Sequence, residues 1–303
     1  MNSDLLEGFS RDCRMRNIKN IQPYKVYIKQ YLELLSSRSK DANSADKGDL
    51  MDFLSSLRQR GLKQASIEKA FTALSSFYTY MVDEELISNN PITSFKRRYL
   101  RKYKDENTSE DRQIISVEQA SLLVNSTLNS RDKAVLVILL KTGMRRGELC
   151  SLDVSDIDFK NMALKLKSTS KRSNRVLFFD SEAEYVLRAW LQFRNRKDKR
   201  GTPALFLGQF GGRISSREIS HIVTKHASRV GLHDSESKCL EHRFTPHCCR
   251  HWFTTHLIRA GMPRDFVKEL RGDVRHEAID IYNHIDKKEL KESYMAHIPQ
   301  LGI

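Results

Sequence analysis

The sequence predicts a mainly α-helical protein of two domains, with a small β-hairpin or three-stranded sheet in the second. Three observations carry this expectation. Apolar side chains recur at helical spacing through the first hundred residues. A stretch that is first basic and then polar and acidic, residues 95–113, interrupts them. Between residues 146 and 180 the apolar period changes from that of a helix to that of a strand.

The helices of the first domain, residues 1–94, can be read in turn. "YKVYIKQYLELLSSR" (24–38) places Tyr24, Tyr27, Ile28, Tyr31, Leu34 and Leu35 on one face. "GDLMDFLSSLRQRG" (48–61) spaces Leu50, Phe53, Leu54 and Leu57 the same way, with Gly61 as its stop. "SIEKAFTALSSFYTYMVDEELI" (66–87) repeats the pattern with Ser66 as its N-cap, and "SNNPI" turns the chain. Four or so short helices are expected. Residues 95–113 read as an interdomain linker. They are either a solvated tether or a strap in which Lys96, Arg97, Arg98, Arg101 and Lys102 meet phosphates.

The second domain, residues 114–303, opens with a capping-box pattern, Ser116 followed by Gln119. "RDKAVLVILLKTG" (131–143) is a buried helix that Gly143 stops. Met162, Leu164 and Leu166 then alternate with polar neighbours, and "RVLFF" follows a polar turn, which makes a hairpin. "SEAEYVLRAWLQFRNRKDKRG" is helical, "ALFLG" is a strand or buried loop, and the pattern from Ile214 onward is helical again.

A net charge of +14 favours a polyanionic partner, nucleic acid first and an anionic membrane surface second. No run approaches the roughly 18 apolar residues of a membrane span. The N-terminus lacks the apolar stretch of a signal peptide. The expected location is the cytoplasm. Five cysteines, two of them adjacent, argue for reduced thiols rather than a disulfide framework.

All ten histidines follow residue 220, and three lie in "TPHCCRHWFTTHLIRAG" (245–261). Thr245 is the expected N-cap, Pro246 occupies the first helical position and Gly261 ends the helix. His247 and Arg250, three apart, share a face at the positive end of the helix, where a phosphate would meet both side chains and the dipole. His251 and Thr254 line the next strip, and Trp252, Phe253, Leu257 and Ile258 are expected to be buried. A plain core helix is the other reading. A zinc site built on Cys239, His242, His247, Cys248 and Cys249 is disfavoured. Neighbours such as His247 and Cys248 point about 100° apart on a helix, so both cannot readily ligate.

"KTGMRRGELCSL" (141–152) and "KELRGDVRHEAIDIYNHID" (268–286) say little singly. In order, "TGMRRGEL", a hairpin lysine, "HCCR" as H-x-x-R, and "ELRGD" followed by "IYNHI" resemble the tyrosine recombinase/integrase family over roughly residues 15 to 300. The tail "IDIYNHIDKKELKESYMAHIPQLGI" looks most like archaeal members, including those of viruses and plasmids. The resemblance implies a helical core-binding domain joined to a mixed α+β catalytic domain. It makes Arg145 and Arg250 the catalytic arginines, His247 the partner of Arg250, and Tyr282 the nucleophile. Glu148 supports Arg145. Lys171 is the hairpin lysine, with Lys167 as the fallback. Asp273 stands where the family usually places a histidine or tryptophan. An aspartate there cannot supply positive charge to a phosphate, but it can orient an arginine or accept a hydrogen bond from the tyrosine hydroxyl.

The chemistry implied is transesterification at DNA phosphodiesters. Two guanidiniums bind the non-bridging oxygens bidentately and take the place of a divalent metal. A 3′-phosphotyrosyl bond conserves the energy of the broken linkage, so no ATP or other cofactor is expected, and no P-loop pattern is present. The expected partner is double-stranded DNA at a specific site, bound by four copies of the chain on two duplexes. A type IB topoisomerase and a DNA-binding protein without catalysis are the alternatives.

Overall fold

The computed structural model describes residues 2–18, 21–100, 113–168, 174–198, 201–237, 239–272 and 285–303. The chain divides into two compact units, Met1–Thr108 and Ser109–Ile303.

Among its described residues the first unit contains five α-helices: α1 (Asn2–Met15), α2 (Gln22–Ser36), α3 (Lys47–Gln59), α4 (Gln64–Asp83) and α5 (Pro91–Tyr99). Their apolar stripes converge on a core rich in aromatic side chains, among them Tyr31, Phe53, Phe71, Phe77 and Tyr78. The two buried hydroxyls satisfy one another: Tyr31 and Tyr78 share a hydrogen bond of 3.2 Å, and Tyr78 Oη also donates to the carbonyl of Ala42 at 3.1 Å. Asp46 caps α3 through the backbone N–H of Asp49. Helix α4 begins at Gln64 after Lys63, so Ser66 lies inside the helix and is not its cap.

Two helices go beyond the expectation. Helix α1 covers a segment with no helix assigned to it from sequence. Helix α5 takes up Phe95 to Tyr99, which were read as the start of the linker. Asn90 caps α5, with Pro91 at its first position, and Phe95 stacks on Phe71 at 5.2 Å with Leu100 also buried. Lys96, Arg97 and Arg98 therefore project from a short helix, while Arg101 and Lys102 lie outside the described residues.

In the second unit α7 (Ser130–Thr142) is the central element, buried at every position from Ala134 to Thr142. Around it pack α6 (Val117–Asn125), α9 (Ser181–Lys197) and α11 (Pro246–Arg259). Each fully buried leucine or isoleucine of α7 contributes about 1.5–3 kcal/mol by leaving water. The expected capping box is present: Ser116 Oγ accepts from Gln119 N, and Gln119 Oε1 accepts from Ser116 N. The sheet is antiparallel in the order β1 (Ile157–Asp158), β2 (Ala163–Lys165), β3 (Val176–Phe178), with Leu164 opposite Leu177. "ALFLG" is a buried loop held by isolated bridges from Ala204 to Asp153 and from Leu207 to Arg213. The remaining α-helices among the described residues are α8 (Arg146–Ser151), α10 (Ser216–Arg229), α12 (Arg264–Arg271) and α13 (Lys287–His297). Among the described residues no helix is long and apolar enough to cross a membrane.

Candidate active site

The site is built on a glycine. Gly143 ends α7 in the left-handed region, φ 58°. A Cβ there would stand 2.4 Å from the ring of Phe253 on α11, so only glycine lets α7 and α11 approach this closely. Two residues later Arg145 forms the N-cap of α8. Its backbone N–H donates to Glu148 Oε2 at 2.7 Å, and its guanidinium Nη1 donates to Glu148 Oε1 at 3.2 Å. One buried carboxylate thus fixes both the backbone entry and the side chain of Arg145, which remains partly exposed.

Helix α11 begins as expected, with Thr245 at the N-cap and Pro246 in the first turn. The N–H of Thr245 is taken up by Cys248 Sγ at 3.3 Å. Trp252, Phe253 and Leu257 form its buried side, but Ile258 is exposed, because the segment packs on the opposite strip. Arg250 is buried. Its Nη1 donates to the carbonyl of Gly143 at 2.7 Å, and its Nη2 donates to the carbonyl of Arg271, the last residue of α12, at 2.8 Å. The guanidinium plane is therefore fixed by two carbonyls from two other elements. The rings of His247 and His251 meet edge to face at 4.7 Å.

Arg145, His247 and Arg250 line one open cleft of about 500 Å³, together with Arg146, Ser220, Thr224 and Thr245. Arg146 donates to Ser220 Oγ on α10 at 2.8 Å. The N-terminal end of α11 opens onto this cleft, so a bound phosphate would meet arginine guanidiniums, an imidazole and the positive end of a helix. Sequence reasoning did not identify Ser220, Thr224, or the carbonyl anchors of Gly143 and Arg271. The glycine was legible only as a helix stop, and backbone acceptors leave no mark in side-chain patterns.

Of the other expected site residues, Lys171, Asp273 and Tyr282 lie outside the described residues. Lys167 lies just beyond β2, and its ammonium pairs with Asp153 at 2.7 Å. Asp153 also binds Arg213, and these two cations hold its carboxyl below the usual range. Cys248 and Cys249 are buried in the core, and burial pushes the Cys249 thiol well up, away from the thiolate a metal would need. Among the described residues no three histidine, cysteine, aspartate or glutamate side chains are grouped to hold a metal ion.

Comparison with known proteins agrees with this architecture. Residues 109–289 match the phage integrase family, and residues 5–88 match the SAM-like N-terminal domain of phage integrases. The tyrosine recombinase XerC of Bacillus licheniformis is 32% identical over 262 residues, covering 83% of this chain and 81% of the relative. The XerD recombinase of Oceanobacillus iheyensis is 26% identical and covers 96% of each chain. Among solved structures, the XerH site-specific recombinase in a post-cleavage complex with its difH substrate superposes with a TM-score of 0.67. It has 21% identity and covers 90% of this chain and 78% of that one. The Tn1549 transposon integrase with transposon right-end DNA gives a TM-score of 0.65 at 17% identity, covering 95% and 97%. The chain belongs to the phage integrase family of tyrosine recombinases, enzymes that cleave and rejoin DNA at specific sites. These relatives are bacterial, so the likeness of the tail to archaeal integrases gains no support from them.

Proposed function

We propose that the chain is a site-specific recombinase of the integrase type, in which Arg145, His247 and Arg250 clamp a scissile DNA phosphate and Tyr282 attacks it. The observation that carries this reading is the shared cleft. Two arginines and a histidine, over 100 residues apart between Arg145 and Arg250, meet at the start of α11 with both guanidiniums oriented. The tyrosine oxygen bonds to phosphorus as the bond to the 5′ oxygen breaks. The phenolic proton passes to a base, a role proposed for His247, and the departing 5′ oxygen takes a proton from the hairpin lysine, proposed to be Lys171. The arginines stabilise the charge that builds on the non-bridging oxygens. Asp273 is proposed as a support that orients a guanidinium or the tyrosine hydroxyl. Attack by a 5′ hydroxyl on the 3′-phosphotyrosine reverses the step and rejoins the strand.

Four strands are exchanged in joining two duplexes, so four copies of the chain are proposed to act together, in the cytoplasm, where the DNA is. The archaeal, viral or plasmid subtype forms no part of the proposal. A nicked duplex carrying the target site traps the cleaved state, because the short 5′ product diffuses away. A denaturant-resistant protein–DNA adduct is expected, and it should form at full rate in the presence of a chelator. Loss of the adduct on chelation would replace the two-arginine clamp with a metal. Relaxation of supercoiled plasmid with no joining of two sites would make the chain a topoisomerase instead.

The basic segment after Phe95 is proposed to add phosphate contacts. Replacing Lys96, Arg97, Arg98, Arg101 and Lys102 together by alanine should flatten the slope of log affinity against log salt by up to about 0.9 per lost contact. An unchanged slope would reduce the segment to a tether.

A further inference from the structure

Phe210 has no role in the cleavage chemistry, yet it is the most exposed aromatic side chain among the described residues, at 83%. It stands in a tight turn, 207–213, between the buried loop 204–207 and α10. The turn closes on itself. Gly208 N–H donates to the Gly212 carbonyl at 2.7 Å, Gly211 N–H donates to the Gly208 carbonyl at 3.1 Å, and Leu207 bridges to Arg213. Gly211 sits at φ 79°, which glycine adopts without strain. The backbone of the turn is thus fixed, and it presents Phe210 to solvent.

The mounting of the turn ties it to the cleft. At its base Arg213 donates to the carbonyls of Cys150 at 3.1 Å and Leu152 at 2.9 Å, at the far end of α8, and binds Asp153 beside them. Arg145 caps the near end of that helix, which is six residues and about 9 Å long. On the other side Arg131 donates to the Leu207 carbonyl at 3.0 Å and to Glu218 in the first turn of α10 at 2.7 Å. Ser220, two residues further along α10, lines the cleft. The same two helices therefore carry the cleft and hold the turn. A duplex with a phosphate in the cleft runs on by about 3.4 Å per base pair, which brings a base step a few pairs away within reach of the turn.

We infer that Phe210 is a wedge that enters a base step of the bound duplex a few pairs from the scissile phosphate and unstacks it. The inference rests on the recombinase reading above. The chemistry of the turn selects DNA over a protein partner. Around Phe210 the turn offers a glutamine, glycines and an arginine, and no second exposed large apolar side chain. A stable protein interface covers about 800 Å² on each partner, which one aromatic ring on glycines does not supply. A single apolar blade on a slim turn suits the gap between two bases. Arg217, exposed in the first turn of α10, is placed to meet a phosphate beside the opened step.

The test places a fluorescent adenine analogue, which brightens when it leaves the stack, at successive positions around the scissile phosphate of the nicked duplex. One step should brighten when the unmodified chain binds, and Phe210→Ala should abolish that rise. An exposed side chain contributes little to folding, so Phe210→Ala should melt as the unmodified chain does. Its DNA affinity should fall about 5- to 20-fold, toward the lower end of what loss of a base–aromatic contact costs, because the energy of unstacking is returned. The slope of log affinity against log salt should not change, since no phosphate contact is lost. Equal brightening with Phe210→Ala overturns the inference, because another element then opens the step. Unchanged DNA behaviour with impaired assembly of copies on DNA also overturns it, and makes Phe210 a protein contact. Failure of the unmodified chain to form any adduct overturns the recombinase reading and this inference with it, whereas normal adducts with no brightened step overturn this inference alone.

Discussion

Replacing Tyr282 by phenylalanine should abolish the covalent protein–DNA adduct and leave DNA binding nearly intact. The chain has ten tyrosines, and the second unit offers a rival in Tyr294, twelve residues further on. The geometry disqualifies the rival. Tyr294 is wholly buried, its hydroxyl donates to the Lys141 carbonyl at 2.9 Å, and its ring packs near Phe178 and Phe253. Burial first, and then the nearby carboxylates of Asp180 and Glu182, push its hydroxyl well above the usual phenol range. A nucleophile must lose its proton to attack, and burial beside two carboxylates disfavours the anion here. Tyr294→Phe should therefore cost stability, about 1 kcal/mol for the lost hydrogen bond, and still form adducts. Tyr282 is nine residues beyond Asp273 and follows α12, whose last carbonyl holds Arg250. Gel analysis of the two variants on a nicked duplex decides the matter. Adducts with Tyr282→Phe and none with Tyr294→Phe would reverse the assignment.

The contrast between these two tyrosines shows what a sequence carries. Elements with strong local signals were legible: the capping box of Ser116 and Gln119, the left-handed Gly143, and the Thr245–Pro246 start of α11 each act within a few residues. Features that depend on a distant partner were not. Phe95 read as linker because nothing local shows that it stacks on Phe71. Ile258 is as apolar as its neighbour Leu257, yet it points about 100° away from it on the helix and is exposed. Lys141 read simply as the end of a buried helix, since its carboxylate partners lie some 40 residues further along the chain. At the candidate site, Arg145, Glu148, His247 and Arg250 could be proposed from sequence because the motifs that resemble the family consist of side chains. The carbonyls that aim Arg250 could not be read, because every residue offers the same backbone acceptor. Likeness of the tail to archaeal integrases was a weaker signal than the ordered motifs, and the bacterial relatives do not support it.

Arg250→Lys should lower single-turnover cleavage by about 100- to 1,000-fold, the loss that follows removal of one preorganised transition-state donor. The argument is geometric. Arg250 holds the Gly143 carbonyl with Nη1 and the Arg271 carbonyl with Nη2, so the ends of α7 and α12 determine the plane it presents to the cleft. Lysine keeps the positive charge but is a point donor on a flexible stem. It cannot bridge both carbonyls and address a phosphate with the same planar fork. DNA affinity should fall little, because the charge remains and most binding energy comes from contacts along the phosphate backbone. Arg250→Ala is the harsher change and the poorer test. It would leave the buried Gly143 carbonyl without this donor, at about 1–3 kcal/mol, break the bond to the part-buried Arg271 carbonyl as well, and confuse lost catalysis with lost folding. Arg145 provides an internal comparison, since it is partly exposed and held by Glu148 rather than by distant carbonyls. Arg145→Lys should also slow cleavage while leaving thermal stability closer to that of the unmodified chain than Arg250→Lys does. If Arg250→Lys cleaves at the unmodified rate, the guanidinium is a structural bracket between α7 and α12, and the phosphate clamp must be sought elsewhere in the cleft.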